Sequence, residues 1–313
     1  MDEPGNIYYL TKQEIDKTKW DACIEKAGNG LIYAYSFYLD HMAKHWDALV
    51  LSKGLPVEND YEVVMPLTWN KKYGFYYLYQ PFLTAQLGVF GKKITERQYG
   101  DFIRAIPAKF RLIEIPLNSG HISGVPSGYS ILRSNYILNL NKSYEELYKG
   151  YRENVQRNIK KAEQAGCTME KGFDVEKVIE LAMQQMKSYS KESGDNAERF
   201  RKLYHFLEQQ KKAITYGITL NNELLASCVF FFSHNRAYYI LVGNHPDGKT
   251  LGASHALINA FIKDHAGKNM VLDFEGSDIP SLAFFYSSFG AVESAYPQLK
   301  LNRLPFYLKW MKR

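Results

Sequence analysis

Two acids, Asp273 and Glu275, close the apolar run Met270-Val271-Leu272-Asp273-Phe274-Glu275-Gly276. Read as a strand, the run sets Val271, Asp273 and Glu275 on one face and Leu272 and Phe274 on the other. A strand covered by helices on both sides should be apolar on both faces, so paired acids near its carboxyl end predict a cleft, the usual ligand location in α/β sheets. Acylating an amine needs a neutral nitrogen, and a carboxylate can accept its proton or orient the ammonium beforehand. The competing expectation is structural: both acids pair with a nearby Lys or Arg, or cap the following turn. Glu114 holds the matching place in an earlier, similar segment, which allows such a framework role.

A second cluster is Lys249-Thr250-Leu251-Gly252-Ala253-Ser254. A helix starting near Gly252 presents unpaired backbone N–H groups and a positive dipole end, and glycine lets a ligand approach the backbone. Lys249, Thr250 and Ser254 would add donors for a diphosphate or a tRNA acceptor-end phosphate. The plain alternative is a loop and N-cap with Asp247-Gly248 as its turn. A basic segment, residues 142–166, reads as one helix opened by a Ser143/Glu146 capping box and stopped by Gly166. Its buried stripe is Tyr148, Tyr151, Val155, Ile159 and Ala162, which leaves Arg152, Arg157, Lys160 and Lys161 on the flanks. Arg157 and Lys160 fit either a solvated face or a phosphate-binding ridge. Gln80 and Gln86 sit in a polar-aromatic loop and suit the amide or sugar groups of an acceptor, or else the loop's own backbone.

Other chemistry is poorly served. The eight histidines include no pair at metal-ligand spacing with Cys or acid partners, so no metal site is expected. His245 lies just before the 249–254 loop and His255 in the first turn of the helix after it, where a solvent-facing or helix-packed role is the simpler one. No G-x-S-x-G elbow is present. Cys23, Cys167 and Cys228 are widely spaced and odd in number, which argues against disulfides and for a reducing cytoplasm. The acidic, polar start Met1-Asp2-Glu3-Pro4 predicts no signal peptide. Residues 224–243, the best candidate for a membrane span, are interrupted by Ser233-His234-Asn235-Arg236 and read as a hairpin.

These residues must be positioned by a scaffold that is written twice. The order strand, strand, strand, loop, helix, strand in residues 47–117 recurs in 213–276, an offset of about 160 residues that fits two fused domains better than a solenoid. The strands are 47–54, 61–69, 75–83 and 111–117 in the first copy, and 213–219, 224–232, 237–243 and 270–276 in the second. Helices fall at 94–110, limited by Pro107, and at 252–266. A length of 313 residues suits two domains, and the net charge of +6 favours an anionic partner only where it clusters. The 24 tyrosines and 18 phenylalanines exceed ordinary packing needs, so some are expected to line a cleft.

Taken together, several parts of the chain resemble the Fem-type peptidyltransferase family within the GNAT-like acyltransferase superfamily. They are the run VMPLTWNKKYG, FYYLYQPF and QLGVF at 64–90, the basic helix YRENVQRNIKKAEQAG, and DFEGSDIPSLAFFYSSFGA at 273–291, where an acidic strand end, a glycine and a short aromatic helix close in Phe289-Gly290. The resemblance implies an α/β (α+β) fold of two tandem GNAT-like domains, each a mixed, mostly antiparallel sheet flanked by helices. Residues 1–135 would form the acceptor side and 136–313 the acyl-donor side. It implies acyl or aminoacyl transfer to an amine of a small molecule or cell-envelope precursor, with acyl-coenzyme A or aminoacyl-tRNA as co-substrate. By the same logic a backbone N–H of strand 237–243 and the Tyr239 hydroxyl would stabilise the oxyanion, and Tyr286 would protonate the leaving group. The chain departs from the family in two ways. Residues 174–212 hold only two ordinary helices in place of a long tRNA-associated arm, and the coenzyme A loop is matched at 249–254 with Lys in its first place and Ser in its last. DNA is not an expected partner. The reading from another class is a catalytically silent module that recognises tRNA, nucleotide-sugar or envelope precursor.

Overall fold

The computed structural model describes residues 6–121, 130–187, 194–276, 278–306 and 308. The chain divides into two compact units, one drawn from Met1–Arg133 with Ala295–Arg313 and the other Ser134–Ser294.

In the first unit the elements are β1 (Asn6–Leu10), α1 (Lys17–Lys26), α2 (Ser36–Met42), β2 (His45–Ser52), β3 (Val63–Lys72), β4 (Phe75–Leu78), β5 (Phe90–Gly91), α3 (Glu96–Ala105), β6 (Phe110–Pro116) and β7 (Ser130–Arg133). A last strand, β15 (Tyr296–Asn302), joins them from beyond the second unit. The sheet runs β1-β2-β3-β4-β6-β15-β7, antiparallel except for the parallel β4–β6 pair, with β5 paired to β3. α3 starts in a Thr95/Gln98 capping box, stops two residues before Pro107, and buries Tyr99, Phe102 and Ile103 against this sheet.

The second unit holds β8 (Tyr136–Asn139), α4 (Tyr144–Lys149), α5 (Glu153–Gln164), β9 (Thr168–Lys171), α6 (Val175–Lys187), α7 (Gly194–Gln209), β10 (Ala213–Leu220), β11 (Glu223–Ser233), β12 (Arg236–Asn244), α8 (Pro246–Leu251), α9 (Ala253–His265), β13 (Val271–Asp273), α10 (Pro280–Ser287) and β14 (Val292–Glu293). Its sheet order is β14-β8-β13-β12-β11-β10-β9, again antiparallel but for one parallel pair, β12–β13. Three meandering strands, a helix and a parallel return therefore occur in both units, as the repeated sequence order predicts.

Three expectations are corrected. The segment from 136 onward is not one domain to the end of the chain, because β15 leaves it to pair with β6 and β7. The helix expected over 142–166 is two, α4 and α5, which part at Gly150, Tyr151 and Arg152. The capping box at Ser143/Glu146 and the left-handed stop at Gly166 are present. Last, the loop before Gly252 is helical: Pro246 at the first turn and His245 accepting from the Asp247 N–H start α8.

Candidate active site

The parallel β12–β13 ladder has three rungs, Arg236↔Val271, Ala237↔Leu272 and Tyr238↔Asp273. β12 then continues to Asn244, whereas Glu275 at φ 65° and Gly276 at φ 89° turn the other chain away. The two strands part at their carboxyl ends, which opens the sheet where α/β folds take ligands.

Aromatic side chains gather at this opening. The Phe274 ring stacks on Tyr286 at 4.6 Å and meets Tyr239 edge-on at 6.1 Å. Phe289 contacts Tyr151 at 5.3 Å and His255 at 5.9 Å, and His255 also meets Phe285 at 4.8 Å. Burial pushes the Tyr239 and Tyr286 phenols above the ordinary tyrosine range, and the nearby Glu275 charge adds to the effect on Tyr286. Both therefore stay protonated at neutral pH and can only donate or accept hydrogen bonds. Neither hydroxyl is hydrogen-bonded to another described residue. Tyr151 carries a fully buried hydroxyl that has no partner at all. Buried polar groups are almost always paired in native proteins, and the orphaned Tyr151 hydroxyl near the unpaired Tyr239 and Tyr286 hydroxyls makes this aromatic cluster the candidate site.

His255 is neutral here, because burial lowers its pKa from 6.5 to about 4. The unfolded chain takes up the proton first, so His255 costs stability progressively as pH falls from 6.5 through about 4. With the ring only partly buried, the loss is discounted to no more than about 2 kcal/mol. Urea melts of wild type and His255→Phe at neutral pH and near pH 4 should show the wild type losing that much more than the variant.

Asp273 lies elsewhere. Strand alternation turns it away from Leu272 and Phe274, and it is 3 % exposed. Its carboxylate accepts from the Arg236 guanidinium at 2.6 Å, the Asn135 amide at 2.9 Å and the Glu275 N–H at 2.8 Å. This is the ion-pair and turn-capping role, and it holds the turn that carries the partly exposed Glu275.

Of the residues expected to bind phosphate, Lys249 and Thr250 are exposed on α8, and Arg157 and Lys160 are exposed on α5, the helix that packs on both α8 and α9. Gly252, at φ 79°, has no room for a side chain: a Cβ there would press on the Asn158 carbonyl oxygen and lie 3.0 Å from the carbonyl carbon. The glycine lets α5 cross close to the start of α9. Ser254 donates to the Asn244 side chain at 2.5 Å. In the first unit, the Gln80 amide donates to the Thr84 carbonyl within its loop while its side-chain oxygen is buried without a hydrogen-bond partner, and Gln86 accepts from the Ser119 N–H of the segment after β6 at 3.1 Å. Among the described residues no cluster of His, Cys, Asp or Glu could hold a metal. Cys23 and Cys228 are buried, and burial pushes the Cys23 thiol up to about 12.

The sequence reading put Tyr151 in a helix stripe and His255 among packing residues. The signal that could have found Tyr151 was Gly150, which ends α4 and lets Tyr151 and Arg152 leave the helix.

Residues 149–278 match the family model described as "Acetyltransferase (GNAT) domain". No curated protein matches the chain. Among solved structures, that of FemX is similar over 95% of this chain and 98% of its own, at 12% identity and a TM-score of 0.63. A conserved protein of unknown function from Bacteroides thetaiotaomicron gives 92% and 98%, at 12% identity and a TM-score of 0.57. A tandem GNAT protein from the clavulanic acid biosynthesis pathway gives 96% and 99%, at 10% identity and a TM-score of 0.54. At such identities the likeness is one of fold, and it extends over both units.

Proposed function

We propose that this chain, whose residues 149–278 match the GNAT acetyltransferase domain model and whose fold is similar to that of FemX, transfers an acyl or aminoacyl group to an amine where β12 and β13 part. The observation that carries this reading is the pair of protonated, unpaired phenols, Tyr239 and Tyr286, beside the Glu275 carboxylate.

The neutral amine attacks the acyl carbonyl carbon and forms the new C–N bond. As the carbonyl oxygen takes on charge, Tyr239 donates a hydrogen bond to it, in a site where burial strengthens the contact. Glu275 takes the proton released by the nitrogen and returns it to the leaving thiolate or ribose oxygen as the tetrahedral intermediate collapses, while Tyr286, kept protonated by burial, steadies that leaving atom with a hydrogen bond. Asp273 acts at one remove, by fixing the turn that bears Glu275.

The donor is acyl-coenzyme A or aminoacyl-tRNA. Acceptors are amines of small molecules or envelope precursors, and the reaction takes place in the cytoplasm. No described helix is long and apolar enough to cross a membrane. A catalytically silent binding module is the second reading, favoured by the Asp273 carboxylate, which is taken up by Arg236, Asn135 and the Glu275 N–H.

The test is turnover of both donor classes against an amine panel by wild type, Tyr239→Phe and Tyr286→Phe. Removing one such donor should lower kcat about 10²-fold with the melting temperature kept. Undiminished turnover in the double variant refutes the site. No wild-type turnover, with a thermal shift from charged tRNA or UDP-linked precursor, favours the silent module.

A further inference from the structure

We propose that the second unit carries a separate small-molecule site, a cavity of about 350 Å³ between α5, α9 and the β9–β10 edge, for an uncharged, mainly apolar ligand that presents a hydrogen-bond acceptor. Protein interiors are normally close-packed, and here short side chains leave the room: Ala162 on α5 faces Ala256 and Ala260 on α9, over Ile218 of β10. The volume falls in the range of small-ligand pockets.

Asn259 defines what the cavity recognises. It is 9 % exposed, lines the cavity, and takes the Tyr144 hydroxyl on its side-chain oxygen at 3.0 Å, while no described residue takes its amide N–H groups. The amide N–H groups open into the cavity, where a ligand carbonyl would take the place of solvent as their acceptor. The rim adds little charge, because Asp264 is engaged by Lys171 at 2.5 Å and by the Tyr216 hydroxyl at 2.7 Å, Lys263 lies over the Tyr144 ring at 5.8 Å, and Glu163 faces solvent. The ligand is therefore neutral.

The site is distinct from the candidate active site. None of Tyr151, Tyr239, His255, Glu275 and Tyr286 lines it, although Ala256 follows His255 directly on α9. A ligand seated there bears on the helix pair whose closest approach is Gly252 to Asn158. The proposal does not depend on the transferase reading.

Cys167, half-buried in the cavity wall, supplies the readout, since Cys23 and Cys228 are buried. The probes are acetanilide, one ring with one amide carbonyl, and toluene, which lacks the acceptor. Iodoacetamide labelling of Cys167 in the full chain, followed by peptide mass spectrometry, should slow about fivefold when acetanilide stands at fourfold its Kd. Toluene should need about tenfold more for equal protection. Ala260→Leu should abolish protection, and Ala256→Val serves if that variant does not fold. Absence of saturable protection in wild type, or protection undiminished in the filled variant, overturns the site. Equal potency of toluene overturns the acceptor recognition.

Discussion

Gly252→Ala is expected to destabilise the second unit by about 3–5 kcal/mol, from left-handed backbone strain together with overpacking. The added methyl would meet Asn158 backbone atoms, which cannot swing aside as a side chain end can. Gly267 supplies the control, since its φ of 80° is nearly the same but nothing lies within 4 Å of its Cβ position. Gly267→Ala should therefore cost only the strain, about 1–2 kcal/mol. Chemical unfolding of both variants measures the gap. If the two costs prove equal, the close crossing of α5 and α9 is not what requires glycine at 252.

Asp273→Ala should cost about 3 kcal/mol, near the lower end for breaking a buried pair, because the Arg236 side chain is a quarter exposed and can rehydrate. The change also leaves the Asn135 amide and the Glu275 N–H without their acceptor. Adding Arg236→Ala to Asp273→Ala should cost less than the same change does in the wild type, because the contact between the two residues is already gone, so the two changes will not be additive. Calorimetric melts of the two single variants and the double variant test this. A double variant less stable than the wild type by the full sum of the two single losses would mean that Asp273 and Arg236 act independently.

The meander of the second unit was legible because its signals are local. Asn221-Asn222 and His234-Asn235 are pairs with positive φ at 50–66°, the residue types tight hairpin turns favour, and they stand between apolar runs. What escaped the sequence is non-local. β15 belongs with β6, more than 180 residues earlier, and nothing within its own seven residues says so. Asp273 looks catalytic from alternation alone, and only the parallel pairing of β12 with β13 shows Arg236 beside it. Tyr239, Glu275 and Tyr286 were nominated separately, and the aromatic cluster brings them together through Phe274, a residue chosen for no role.

The placement of β15 between β6 and β7 imposes an order of events on the nascent chain. During vectorial synthesis the ribosome releases every strand of the second sheet before it releases the one that bridges β6 to β7. The later-encoded unit can thus mature while the earlier one is still open at two strand edges, so the first half of the message is the last to become a finished sheet.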